Sequence, residues 1–109
     1  MEANGKATFR IVGTTRIQTA TLADTMEKHL PPSQIIDFMN VDVEGLDERV
    51  LRSNNWNKYR PRLILAEAIG LQSLNVAFKC PLVPLLDHYG YEPVAKTLNT
   101  LIFRLRALP

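Results

Sequence analysis

The strongest hydrophobic signal in the chain lies between Ile35 and Val43, where Ile35, Ile36, Phe38, Met39, Val41 and Val43 are apolar on both parities of an extended strand. A half-exposed strand alternates, whereas one that is apolar on both sides is expected to be covered on both faces, as in a parallel sheet. A second apolar run, Leu63 to Ala66 within Arg62 to Ile69, carries the same expectation. Between them Gly45 makes a turn, and Leu46 to Ser53 reads as a short helix. Asp47 and Glu48 stand near its positive end and Arg52 near its negative end. A strand, a helix and a strand within about 35 residues predict a βαβ unit with a right-handed crossover.

The flanking segments follow local rules. Residues 1–8 are small and polar and predict a frayed start. Phe9 to Ala20 is rich in β-branched residues and reads as extended, with a bend at Gly13. Thr21 and Asp24 form a helix start, and Leu22, Met26 and Leu30 line one helical face before Pro31-Pro32 ends it. Asn54 to Pro61 is a return loop, and Gly70 to Lys79 is read as a loop. Leu82, Leu85, Leu86 and Tyr89 fall at helical spacing, with Pro84 in the first turn and Gly90 just past the end. Tyr91 to Lys96 and Leu98 to Arg106 predict a closing hairpin. Leu101, Phe103 and Leu105 share its apolar face.

Composition narrows the class. With 109 residues, 46% hydrophobic and 22% charged, the chain suits one globular domain. Thirteen basic against eleven acidic residues leave a scattered +2, which argues against nucleic acid as the main ligand. Cys80 is the single cysteine, so no internal disulfide framework exists and a reducing, cytoplasmic setting is expected. No apolar run approaches a membrane span or a secretion signal, so no membrane partner is expected.

Candidate chemistry appears where a buried strand turns polar. Asn40, Asp42 and Glu44 share one parity near the carboxyl end of the first strand, and Glu67 stands near the carboxyl end of the second. Ligands of open α/β sheets bind outside those strand ends. Clustered carboxylates there would repel one another and raise at least one pKa. The competing readings are that Asp42 or Glu44 caps the next helix, and that Glu67 pairs with an arginine. Other residues read as structural: His29 and His88 at helix ends, Cys80 as an unactivated thiol, Trp56 and Tyr59 as packing beneath a loop, Arg104 and Arg106 as a solvated face.

These residues carry a resemblance. Ile36-Asp37-Phe38-Met39-Asn40-Val41-Asp42-Val43-Glu44-Gly45, Val50-Leu51, Arg60-Pro61 and Leu65-Ala66-Glu67 resemble the FkbM family of S-adenosylmethionine-dependent methyltransferases. So do the lead-in Thr21-Leu22-Ala23-Asp24, Leu86, the Tyr89-Gly90-Tyr91 turn and the closing Asn99-Thr100-Leu101-Ile102-Phe103 segment, so that the resemblance covers roughly residues 10 to 106. It implies a Rossmann-like class I fold: an α/β sheet in three layers, with parallel strands and a C-terminal antiparallel hairpin. It also implies methyl transfer to a hydroxyl of a sugar or natural product. On this basis Asp42, Glu44 and Glu67 are the candidate catalytic residues, and Asn40 and Asp42 lie beside the methionine end of the cofactor. Asp42 or Glu67 would take the acceptor's proton.

Such enzymes also cradle the cofactor on a glycine-rich turn after their first strand. Here Gly5, Gly13, Gly45, Gly70 and Gly90 are too dispersed to build one. Residues 9–109 therefore match the C-terminal half of the domain, which is not expected to hold S-adenosylmethionine alone. The alternative is a non-catalytic interaction module descended from such an enzyme. Hard oxygen ligands would suit magnesium, yet no histidine or cysteine spacing supports zinc, and no metal is assigned. The 35–43 strand is expected to have an open edge. Phe9 to Thr19 would fold onto it, or it would pair with an N-terminal half or a second copy.

Overall fold

A computed structural model describes residues 8–67 and 73–106. The described residues form four helices and four strands, in the order α1 (Leu22–His29), β1 (Phe38–Val41), α2 (Asp47–Arg52), β2 (Leu63–Glu67), α3 (Leu74–Ala77), α4 (Leu82–His88), β3 (Tyr91–Lys96) and β4 (Thr100–Leu105). The strands form one mixed sheet in the order β1-β2-β4-β3. β1 and β2 are parallel, with Val41 opposite Ala66, and are joined through α2. β4 runs antiparallel to both its neighbours and lies between β2 and β3.

Local chemistry accounts for the element ends. The Thr21 hydroxyl accepts from the Asp24 amide at 3.0 Å and caps α1. Ser73 caps α3 in the same way, through the Val76 amide at 3.2 Å. This short helix lies where a loop was expected, and four residues are too few for a 3.6-residue period to be read. Pro84 occupies the first turn of α4, where its missing amide costs nothing. Gly90 adopts φ +96° just past that helix.

The core lies on one face of the sheet. Val41, Ile64, Ala66, Leu101 and Phe103 project from that face into a cluster with Leu51, Ala77, Leu82, Leu85, Leu86 and Tyr91. The Trp56 ring stacks on Tyr89 at 5.0 Å and meets Tyr91 edge-on at 5.5 Å. Its indole N–H donates to the Leu51 carbonyl at 2.8 Å, so Trp56 and the buried Tyr59 fill the space beneath the return loop.

Three sequence expectations are corrected. The 35–43 strand is not covered on both faces: Phe38 is 63% and Ile35 61% exposed, and the ladder spans only Phe38–Val41. The opposite face of the sheet, with Phe38, Asn40, Leu63, Leu65, Ile102 and Arg104, has no buried residue, so helices form one layer and not two. The apolar pattern of β1 thus records a surface that the described residues leave uncovered. Nor does Phe9–Thr19 fold onto the β1 edge. It forms no regular element, and Phe9, Ile11, Val12 and Ile17 are each at least 79% exposed. The frayed start expected at residues 1–8 falls, apart from residue 8, outside the described residues. No helix among the described residues is long and apolar enough to cross a membrane.

Candidate active site at the carboxyl ends of the parallel strands

Parallel pairing places equivalent ends of β1 and β2 side by side. Val41 lies opposite Ala66, so the next residues, Asp42 and Glu67, leave the sheet at the same rim. Adjacent strands are about 4.8 Å apart, within reach of two carboxyl side chains. Beyond Val41 the chain departs from strand geometry. Glu44 and Gly45 both take positive φ, +50° and +90°, and the Leu46 amide donates back to the Val43 carbonyl at 3.2 Å. This turn, and not strand parity, returns Glu44 to the rim. A left-handed conformation costs a residue other than glycine free energy, and such strain often marks functional sites.

The outcome is a convergence of carboxyl groups. Asp42, Glu44 and Glu67 each offer an oxygen within 4.8 Å of the others. Asp42 and Glu44 are exposed and Glu67 is half-buried. Partial desolvation raises the Glu67 carboxyl above its ordinary value, with further contributions from the charges of Asp42, Glu44 and Asp47 and a hydrogen bond with Asp42. Neither competing reading holds. The start of α2 receives no side-chain cap from its N-cap residue, Leu46, and none of the hydrogen bonds there involves Asp42 or Glu44. Among the described residues no arginine or lysine pairs with Glu67.

Sequence reasoning missed Asp47, which it treated as a charge at a helix start. Its side chain is 7% exposed. One oxygen accepts from the Val43 amide at 3.2 Å, and the other is buried without a partner. Asp47 and Glu67 line one cleft of about 260 Å³ with Gly45, Glu48, Cys80, Pro81 and Leu82. The spacing Asp42–Glu44–Asp47 around a glycine was the available signal. Asn40 stands apart, exposed on the uncovered face opposite Leu65 and outside the converging group. A second cleft of about 200 Å³, between α3 and β3, is apolar, and Lys96 is its one ionisable lining residue. It offers no acid–base pair.

The family model described as methyltransferase FkbM domain matches residues 2–93. The chain belongs to this family. The match spans β1, the Asp42–Gly45 turn, α2 and β2, so the carboxylate rim is part of the FkbM domain. No curated protein and no solved structure matches the chain. Membership accounts for polar residues at the ends of two largely apolar strands, which packing alone would not select.

The raised Glu67 pKa has a measurable consequence. The folded chain keeps this proton to higher pH than the unfolded chain, so the group's stabilising contribution is full below its ordinary value of 4.5 and is lost as pH rises through the folded value. Urea midpoints in cation-free buffer are therefore expected to diverge above pH 4.5, with Glu67→Gln increasingly more stable than the parent. A gap that stays constant from pH 4 to 7 would contradict this assignment.

Proposed function

We propose that this FkbM domain serves S-adenosylmethionine-dependent transfer of a methyl group to a hydroxyl, on a sugar or natural product, as the acidic acceptor side of a Rossmann-like class I active site. The observation that carries the reading is the convergence of Asp42, Glu44 and Glu67 at the carboxyl ends of adjacent parallel strands in a member of this family. The residues fit one end of such a cofactor. A carboxylate rim suits a sulfonium and an ammonium group, whereas the described glycines, Gly13, Gly45 and Gly90, are too far apart in sequence to form the turn that grips a nucleoside. When bound, the cofactor supplies an electrophilic methyl group.

The chain's own residues supply acid–base chemistry and positioning. Glu67, half-buried and with a raised pKa, is the better base, and it takes the proton of the acceptor hydroxyl. Asp42, with a carboxyl oxygen within 4.8 Å of one of Glu67, orients it. Glu44, held by its left-handed backbone, completes an anionic rim that favours a cationic partner. Asp42 flanks the methionine end, whereas Asn40, on the uncovered face, lies outside the rim. The unpaired edge of β1 is the surface for a glycine-rich N-terminal half, or for a second copy. A reducing, cytoplasmic compartment fits the single Cys80. A non-catalytic interaction module is the second reading, favoured by the uncovered sheet face around Phe38, Leu65 and Ile102.

Calorimetric titration of S-adenosylmethionine into the chain is expected to show no binding below the millimolar range. Submillimolar affinity would overturn the half-site reading. Fused to the glycine-rich half of an FkbM-domain protein, the chain is expected to release S-adenosylhomocysteine in the presence of polyhydroxylated acceptors. Glu67→Gln should lower that turnover about 100-fold or more. Undiminished turnover in Glu67→Gln would remove it as the base, and binding without any turnover would favour the second reading.

A further inference from the structure

Residues 8–20 form an arm that the body of the chain leaves bare. All of them are exposed, and Phe9, Ile11, Val12 and Ile17 are each at least 79% so. Apart from Val12, the arm alternates as a half-covered strand does. Phe9, Ile11, Thr15, Ile17 and Thr19 share one parity, and Arg10, Thr14, Arg16 and Gln18 the other. No backbone hydrogen bond among the described residues involves 8–19. The radius of gyration, 16.4 Å, exceeds the ~13 Å of a compact chain of this length, as an arm standing clear of the body requires.

The body carries the complement. β1 is an edge strand, and outside its ladder with β2 no backbone hydrogen bond among the described residues reaches Phe38–Val41. Beside that edge Phe38, Leu63, Leu65 and Ile102 form an apolar strip on the uncovered face. A stable interface takes about 800 Å² from each partner. The strip alone falls short of that, because only Phe38 among its four side chains is largely exposed, and the arm adds four more. Charge matches as well. Arg10 and Arg16 make the arm basic, with no acidic residue between positions 8 and 20, whereas Asp42, Glu44 and Glu67 at the end of β1 pair with no lysine or arginine among the described residues.

We infer that two copies of this chain form a symmetric dimer by exchanging arms, residues 8–20 of each lying as an added strand along the β1 edge of the other. The arm's backbone groups then pair with those of β1, its apolar parity widens the strip around Phe38, and an arginine meets the acidic rim. Within one copy the root of the arm is tied to the end of α2, where the Leu22 amide donates to Ser53 Oγ at 2.8 Å and the Ala23 amide to the Ser53 carbonyl at 3.2 Å. From that root the arm does not return to its own β1. Thirteen extended residues reach about 40 Å, ample to span the edge of a neighbouring copy. Exchange of an existing segment is a low-cost route to a closed dimer. Of the partners open to the β1 edge the inference selects the second copy, and the dimer stands whether or not the domain transfers methyl groups.

Sedimentation velocity of the parent chain is expected to show a dimer that weakens as salt is raised. Ile11→Asp/Ile17→Asp should weaken it at least 30-fold, and Arg10→Glu/Arg16→Glu at least tenfold at low salt, both with unchanged circular dichroism because these side chains are exposed. A parent chain that stays monomeric at about 100 μM, or folded variants that dimerise as tightly as the parent, would overturn the exchange. A mixture of isotope-labelled and unlabelled parent chains decides the matter without any variant. Nuclear Overhauser contacts from the Ile11 methyls to the Phe38 ring should cross between chains, and contacts confined to one chain would mean that the arm folds back on its own edge.

Discussion

Phe103→Ala is expected to cost about 3–5 kcal/mol, the usual range for removing a buried aromatic ring from a core. Phe103 is fully buried in β4, opposite Ile64 on one side and Pro93 on the other, so its ring joins the two halves of the sheet. A chain this long is stabilised by roughly 5–15 kcal/mol. The substitution thus removes about a fifth or more of the total, and the urea midpoint should fall by a similar fraction with little change in slope. Leu105→Ala, at the half-buried end of the same strand, provides the comparison and should cost clearly less. Equal shifts for the two would show that Phe103 is not the centre of the core.

Gly90→Ala has the next largest expected effect. Gly90 adopts φ +96°, a conformation that costs a residue with a Cβ on the order of 1–3 kcal/mol. Space is also short, because a Cβ there would lie 2.9 Å from Arg60 Nη2. That guanidinium donates to the Tyr89 carbonyl through Nη2 and to the Trp56 carbonyl through Nη1, each at 3.0 Å. Moving it loosens the contact between the return loop and the end of α4, adding about 1 kcal/mol. Thermal melts should show a destabilisation of about 2–4 kcal/mol in total. In an Arg60→Ala background the steric part should vanish and the conformational part remain. A Gly90→Ala variant as stable as the parent would mean that the turn can be rebuilt without a left-handed residue.

Much of this architecture was legible in the sequence because local and long-range signals agreed. The β1-α2-β2 unit, α4 with Pro84 in its first turn, Gly90 and the closing hairpin each combined a hydrophobic period with a capping or turn residue. The gathering of carboxyl groups at the ends of β1 and β2 was legible because Asp42 and Glu67 interrupt apolar runs. Where the reading went astray, the pattern lacked a partner. Phe38 and Ile35 look like core residues, yet no described element covers them. Phe9 to Thr19 has the composition of a strand and no neighbour to pair with, and composition alone forms no ladder. Asp47 was obscured for a different reason: a carboxylate in the first turn of a helix is ordinary, and only coordinates reveal that its second oxygen is buried and orphaned.

The position of β4 bears on how the protein is made. The last described strand to leave the ribosome is an interior strand of the sheet, with β2 on one flank and β3 on the other. Until Leu105 has cleared the exit tunnel, the parallel pair and β3 have no common partner, and the apolar residues destined to meet Phe103 remain wet. The sheet accordingly closes late, only after synthesis has passed Leu105, and nascent polypeptide stalled before Thr100 is a natural client for chaperones.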